Sequence, residues 1–220
     1  MSDFLKLIFP TPILIGKSDT PEICELICDL AYEFKDKAEN AHMVSDYWDF
    51  GVKSSDQNDF DKYGVTSFNS SIDLFNLPEW KEVTEFIYNM ICHMIKDVND
   101  KNFEVRLINM WTTIYPDNTF VPEHIHSNSY LSGVFYAKAK PHCGGLSLHD
   151  PSWVAKTMFM RTNQPEFPNV QTKWLEEAEE GKMILFPSWI PHRSLPNLSG
   201  EDRIIVSFNI DFVEIQPCHS

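Results

Sequence analysis

Positive charge is what this chain has least of. It carries 18 Lys and Arg against 32 Asp and Glu, a formal net charge of −14. Affinity for nucleic acid rests on basic side chains neutralising phosphates, and no Lys/Arg cluster offers a local exception. Nucleic acid and anionic membrane surfaces are therefore not expected partners. A long apolar run is also missing, since no stretch approaches the ~18 residues that span a bilayer. The opening MSDFLKLIFPTPILIG is apolar but broken by Pro10 and Pro12 and lacks a cleavage pattern. The cysteines (Cys24, Cys28, Cys92, Cys143 and Cys218) are scattered and odd in number. Cys24 and Cys28 are spaced for one helix face, not for a CxxC metal knuckle, which points to reduced thiols and a cytoplasmic setting. Internal repeats and low-complexity tracts are absent.

What is present suits a single packed domain over residues 1–220: 43% of residues are hydrophobic and 13% aromatic. Leu5 to Gly16 reads as an edge strand or an extended arm, interrupted by its prolines. Such an arm could pair with its own sheet or with that of a second copy, so a homodimer is one expectation. A helix follows, with Thr20 as N-cap, Pro21 at the first helical position and Glu22 in the first turn. Ile23, Leu26, Ile27, Leu30 and Phe34 form its apolar stripe. Residues 38–75 are polar with isolated aromatics and read as loops and short strands, a lid-like segment. A second helix is expected from Pro78 to about Asp97, its stripe made by Trp80, Val83, Phe86, Ile87, Met90, Ile91 and Met94.

From Phe103 the period changes to that of strands, separated by turn residues such as Pro116-Asp117-Asn118 and Gly144-Gly145. Residues 152–180, with Pro165, Pro168 and the acidic WLEEAEEG, read as an insertion loop. Two helices followed by a strand-rich half give an α+β class. The helices (1–100, with the lid-like loops) would buttress a two-sheet jelly roll (103–215).

The constellation that carries chemistry is a short-range histidine pair, His124 and His126, with a distant third, His192, and then Arg203. In an extended segment, side chains two apart share a face, so the pair points into one space. On the last strand Arg203, Ile205, Ser207 and Asn209 share one face, and Ile204, Val206 and Phe208 the other. Burying an arginine costs several kcal/mol unless an anion or acceptor meets it, so the first face is expected to line a polar pocket. Neutral imidazoles suit divalent iron, zinc, copper or nickel, and a guanidinium offers a fork for a carboxylate. Metal plus carboxylate anchor is the plan of a site that chelates a small oxo-acid. Glu123 alternates with the pair and is expected to face away. Trp111, Trp174 and Trp189 read as core, while Trp153 is a candidate for substrate contact and His149 for a supporting contact.

At these residues the chain resembles the iron(II)/2-oxoglutarate-dependent oxygenases, in particular a bacterial and phage branch. The carrying motifs are IFPTPI (Ile8 to Ile13), HIHSNSYLSGVFY (His124 to Tyr136), GLSLHDP (Gly145 to Pro151), LFPSWIPH (Leu185 to His192) and RIIVSFN (Arg203 to Asn209). The resemblance implies a double-stranded β-helix with iron at its open mouth and O2 as the oxidant. His124 and His192 would be ligands, and Arg203 would clamp the distal carboxylate of 2-oxoglutarate. Where the superfamily has Asp or Glu, this chain has His126, so a neutral imidazole replaces a negative ligand; the cosubstrate dianion would bring neutralising charge. The expected ligand set is His124, His126 and His192, with Glu123 or Asp150 the alternative oxygen donors. Tyr115 would donate to the cosubstrate carboxylate, with Ser207 and Asn209 as supporting contacts. The implied reaction is hydroxylation of a peptide or small molecule, coupled to conversion of 2-oxoglutarate to succinate and CO2. Two other readings stand beside it. One is a three-histidine iron dioxygenase that does not use 2-oxoglutarate. The other is a non-enzymatic jelly roll for assembly or binding.

Overall fold

The change of period at Phe103 divides the molecule into a helical layer and two sheets. A computed structural model describes residues 10–37, 64–68, 73–98, 103–153 and 172–214. The start of the expected arm, most of the lid-like 38–75 segment and much of the 152–180 stretch lie outside the described residues.

In chain order the elements are β1 (Leu14–Lys17), α1 (Pro21–Lys37), β2 (Val65–Thr66) and α2 (Lys81–Ile95). They continue with β3 (Phe103–Tyr115), β4 (Leu131–Lys138), β5 (Gly145–His149), β6 (Lys173–Glu177), β7 (Lys182–Pro187), β8 (His192–Ser194) and β9 (Arg203–Glu214). The large sheet has the order β1-β7-β4-β9-β3-β2, the small one β6-β5-β8. All pairings are antiparallel. An isolated bridge from His124 to His192 sets the 124 segment on the free side of β8. From β3 onward the chain therefore passes between the sheets in the manner of a double-stranded β-helix. β3, β4, β7 and β9 lie in the large sheet; the 124 segment, β5, β6 and β8 lie in the small one.

Pro21 opens α1 as expected, and the Thr20 carbonyl accepts from the amides of Ile23 and Cys24. The buried face is Cys24, Ile27, Leu30 and Ala31, so small residues join the expected stripe and let the helix sit close to the sheet. The second helix begins later than expected: Leu74–Asn76 and Pro78–Trp80 are 3-10 turns, and regular α-helix starts at Lys81. Val83, Ile87, Ile91 and Ile95 are its fully buried residues.

Both helices pack on one face of the large sheet, against Phe135, Met183, Leu185, Ile204, Val206 and Phe208. Phe86 meets Phe135 edge to face at 5.3 Å. Phe208 lies over Gly133, where an added Cβ would stand 2.3 Å from its ring, so the glycine makes the room that the ring fills. The opposite face, with Val134, Tyr136, Ile184, Phe186 and Ile205, meets Leu146 and Leu148 of the small sheet and forms a second, smaller cluster.

One expectation is corrected here. Residues 152–180 are not wholly a loop, because Lys173–Glu177 pairs with β5 as an edge strand. Its side chains are mostly exposed, so backbone bonding rather than burial builds it, and the sequence has no alternation to betray it. Leu14–Lys17, by contrast, is an edge strand as expected, seated on its own chain's β7. Among the described residues no helix is long and apolar enough to cross a membrane.

Candidate metal centre

The space between the sheets opens into a cavity of about 290 Å³. Its wall takes Arg203, Ile205, Ser207 and Asn209 from β9, as the alternation of that strand requires. From β3 it takes Asn109, Trp111, Thr113 and Tyr115. That face of β3 depends on a register shift between Leu107 and Asn109, which reverses the parity of the strand. Val105 and Leu107 pack toward the helices before it, Met110 and Ile114 after it.

His124, His126 and His192 converge at this cavity, with one ligand nitrogen from each within 4.8 Å of the others. His124 and His126 sit on an extended, irregular segment before β4, held by the bridge to β8. The pair still faces inward. The His124 and His126 Nε2 atoms are 3.1 Å apart, and the His124 and His192 ring centroids 4.3 Å.

Each imidazole has a partner at Nδ1. For His124 it is the Pro122 carbonyl at 2.9 Å, for His192 the Ile190 carbonyl at 2.8 Å, and for His126 the Asn209 Oδ1 at 2.6 Å. Acceptors at all three positions place the proton on Nδ1 and leave the Nε2 lone pairs unprotonated. Burial lowers all three pKa values. His124 falls from 6.5 to about 4, aided by neighbouring His126; His192 lies well below its ordinary value, with His124 and His126 adding to the effect. Two imidazole lone pairs facing each other at 3.1 Å repel unless a cation stands between them. The donor set therefore fits a divalent metal.

Arg203 is 1% exposed. Its Nη1 donates to the carbonyls of Cys143 at 2.5 Å and Leu195 at 3.0 Å, while Nε and Nη2 have no partner among the described residues. The Tyr115 ring stacks on the guanidinium, 4.2 Å from Cζ to centroid. Gly144, at φ +80°, passes so near that an added Cβ would stand 2.9 Å from Nη1. Two unpaired donors on a buried cation cost several kcal/mol, and an anion in the cavity would satisfy both. Burial raises the Tyr115 hydroxyl pKa, so that group stays a donor.

Of the expected residues, the three histidines, Arg203, Tyr115, Ser207 and Asn209 all line the one cavity. Asn209 is at the opposite end of its strand segment from Arg203 and has His126 as its neighbour. Glu123 faces away and contacts His149, which also bonds Ser147 Oγ at 2.9 Å. Asp150 accepts from the amide and hydroxyl of Ser152, away from the triad. Neither carboxylate is among the cavity-lining residues. Trp153 is half-exposed and not part of the wall. Trp111, read as core, is the tryptophan at the site among the described residues: its ring lies 5.7 Å from that of His126 and 4.8 Å from that of Phe68. Phe68 and Asn109 were not anticipated. Only the β3 register shift brings Trp111 and Asn109 to this side.

Residues 109–209 match the family model described as "Putative 2OG-Fe(II) oxygenase". No curated protein sequence matches the chain. Among solved structures, it is similar to SnoK, a non-heme alpha-ketoglutarate-dependent carbocyclase from nogalamycin biosynthesis. The TM-score is 0.60 at 11% identity, over 95% of this chain and 84% of that one. A prolyl hydroxylase from Trichoplax adhaerens gives 0.56 at 11%, over 90% and 83%. A prolyl-4-hydroxylase from Pseudomonas putida gives 0.53 at 15%, over 90% and 92%. At such identities the likeness is one of fold.

Proposed function

We propose that this chain, whose residues 109–209 match the 2OG-Fe(II) oxygenase model, is such an oxygenase, in which the three histidines hold iron(II) and Arg203 anchors 2-oxoglutarate. The single observation that carries this is a pairing of opposites in one cavity. Three Nε2 lone pairs converge at one end, and at the other is a buried guanidinium with two donors that have no partner among the described residues. When bound, iron(II) with 2-oxoglutarate and O2 supplies oxidation of a substrate C–H bond, with succinate and CO2 as coproducts.

The chain's own residues position and shield. His124, His126 and His192 are kept neutral by burial, so they offer lone pairs without first losing a proton at neutral pH. Arg203 Nε and Nη2 receive the distal carboxylate in a fork, and Tyr115 covers one face of the guanidinium and donates its hydroxyl proton. Ser207, between the two ends on β9, offers a hydroxyl to the cosubstrate. Val134, Leu146, Phe186 and Ile205 wall the cavity with apolar surface, which excludes water and strengthens the Arg203–carboxylate attraction. The substrate, a peptide or a small molecule, enters past Trp111 and Phe68. The chain's scattered cysteines, unpaired among the described residues, suit a cytoplasmic setting.

The test is thermal unfolding under anaerobic conditions with iron(II), 2-oxoglutarate, both or neither. The reading expects iron(II) to raise the melting temperature and 2-oxoglutarate to raise it further only with metal present. A shift with iron(II) that 2-oxoglutarate does not extend would instead favour a dioxygenase that needs no cosubstrate.

A further inference from the structure

The three histidines are not held alike. The Nδ1 atoms of His124 and His192 each meet the carbonyl two residues earlier in their own segment, at Pro122 and Ile190. His126 has no such backbone acceptor. Its Nδ1 meets two side chains from other strands, Asn209 Oδ1 of β9 at 2.6 Å and Ser132 Oγ of β4 at 2.9 Å. Asn209 is itself fixed: its Nδ2 donates to Asn109 Oδ1 at 2.8 Å, which turns Oδ1 toward the imidazole. Ser132 Oγ also donates to that Oδ1, at 2.7 Å, and lies 2.8 Å from Ser188 Oγ. The Ser188 carbonyl in turn accepts the His126 amide at 3.0 Å. Asn209 is 5% exposed and Ser132 1%, so this network has little recourse to water.

We infer that Asn209 is the positioning residue that makes His126 a metal ligand. The inference rests on the three-histidine reading above. An imidazole can present Nε2 to a metal only if its proton is on Nδ1, and Asn209 Oδ1 is the acceptor that keeps it there. The neutral amide has a second consequence. With three imidazoles and an amide behind one of them, the described residues give the metal no negative charge, and no carboxylate is among those of them that line the cavity. The bound metal keeps its full dipositive charge for an anionic cosubstrate.

The test titrates iron(II) anaerobically against a chromophoric chelator and records the absorption spectrum of the cobalt(II) form. It uses the full chain and variants whose fold is checked by circular dichroism. Asn209→Leu keeps the shape and removes the amide acceptor, which leaves the Ser132 hydroxyl free to turn its proton toward Nδ1, and should weaken metal binding by about 10- to 100-fold. Asn209→Asp restores an acceptor with negative charge. It should bind metal at least as tightly as the parent while weakening 2-oxoglutarate in the metal-loaded protein, a split that general damage to the fold does not produce. Ser132→Ala should cost only a few-fold, and serves if Asn209→Leu does not fold. In a His126→Ala background, Asn209→Leu should have no further effect on metal affinity. The inference is overturned if folded Asn209→Leu binds metal within twofold of the parent, or if Asn209→Asp is as weak as Asn209→Leu. His126→Ala with parental metal affinity would instead sink the three-histidine reading itself.

Discussion

The two faces of β9 divide the work of the molecule. Ile204, Val206, Phe208 and Ile210 are wholly buried under the helices and hold the large sheet to them. Arg203, Ile205, Ser207 and Asn209 alternate with them and line the cavity. Neighbouring residues on one strand thus differ in what they answer to. On the helix side the constraint is volume, as the fit of Phe208 over Gly133 shows. On the cavity side it is unsatisfied polarity, as the free donors of Arg203 show. A buried charge without a full set of partners is tolerated there because the opposite face supplies stability independently.

Substitutions on the two faces should therefore fail in different ways. The largest effect is expected from Phe208→Ala, which leaves a cavity beside Gly133 and should destabilise the fold by about 3–5 kcal/mol in denaturant melts. Where it remains folded, its affinity for iron(II) should be close to that of the parent. Loss of metal out of proportion to stability would break the division between the faces. Arg203→Ala comes next. It should weaken 2-oxoglutarate binding by roughly 2–5 kcal/mol, 30-fold or more, while metal content is retained. Loss of metal together with cosubstrate would make Arg203 architectural, and calorimetry of the metal-loaded variant separates the two.

The smallest effect concerns pH and sharpens the electrostatic side of the contrast. Burial holds His124 at about 4, below its ordinary 6.5, and lowers His126 and His192 as well. The unfolded chain then takes up protons before the folded one does. The stability this contributes is complete above about pH 6.5 and is lost as pH falls toward 4. The melting temperature of the metal-free chain should drop across that window, and drop less in His192→Asn. Equal slopes for parent and variant would mean that His192 is not buried as a neutral group.

Much of this was legible in the sequence because it is written in local periods. The alternation of Arg203 to Asn209, the spacing of His124 and His126 and the apolar stripe of α2 each report on a single segment. β6 was not legible, since Lys173–Glu177 is an exposed edge strand whose reason for extending is the hydrogen-bonding edge of β5. Nor was the role of Trp111. Counting in twos from Val105 sends it toward the helices, and the register shift before Asn109 turns it to His126. Trp153 drew attention as a loop tryptophan after His149-Asp150, yet it stands outside the cavity wall.

By itself the sequence determined which residues could do chemistry and which faces they share, because side-chain direction along a strand or helix follows from backbone geometry over a few residues. Only the tertiary structure decided how those faces meet. It set the His124–His192 bridge that closes the triad, the hold of Asn209 on His126, the stacking of Tyr115 on Arg203 and the register shift that aims Trp111. Each of these depends on the pairing of strands far apart in the chain, and a pairing register is a property of two segments at once.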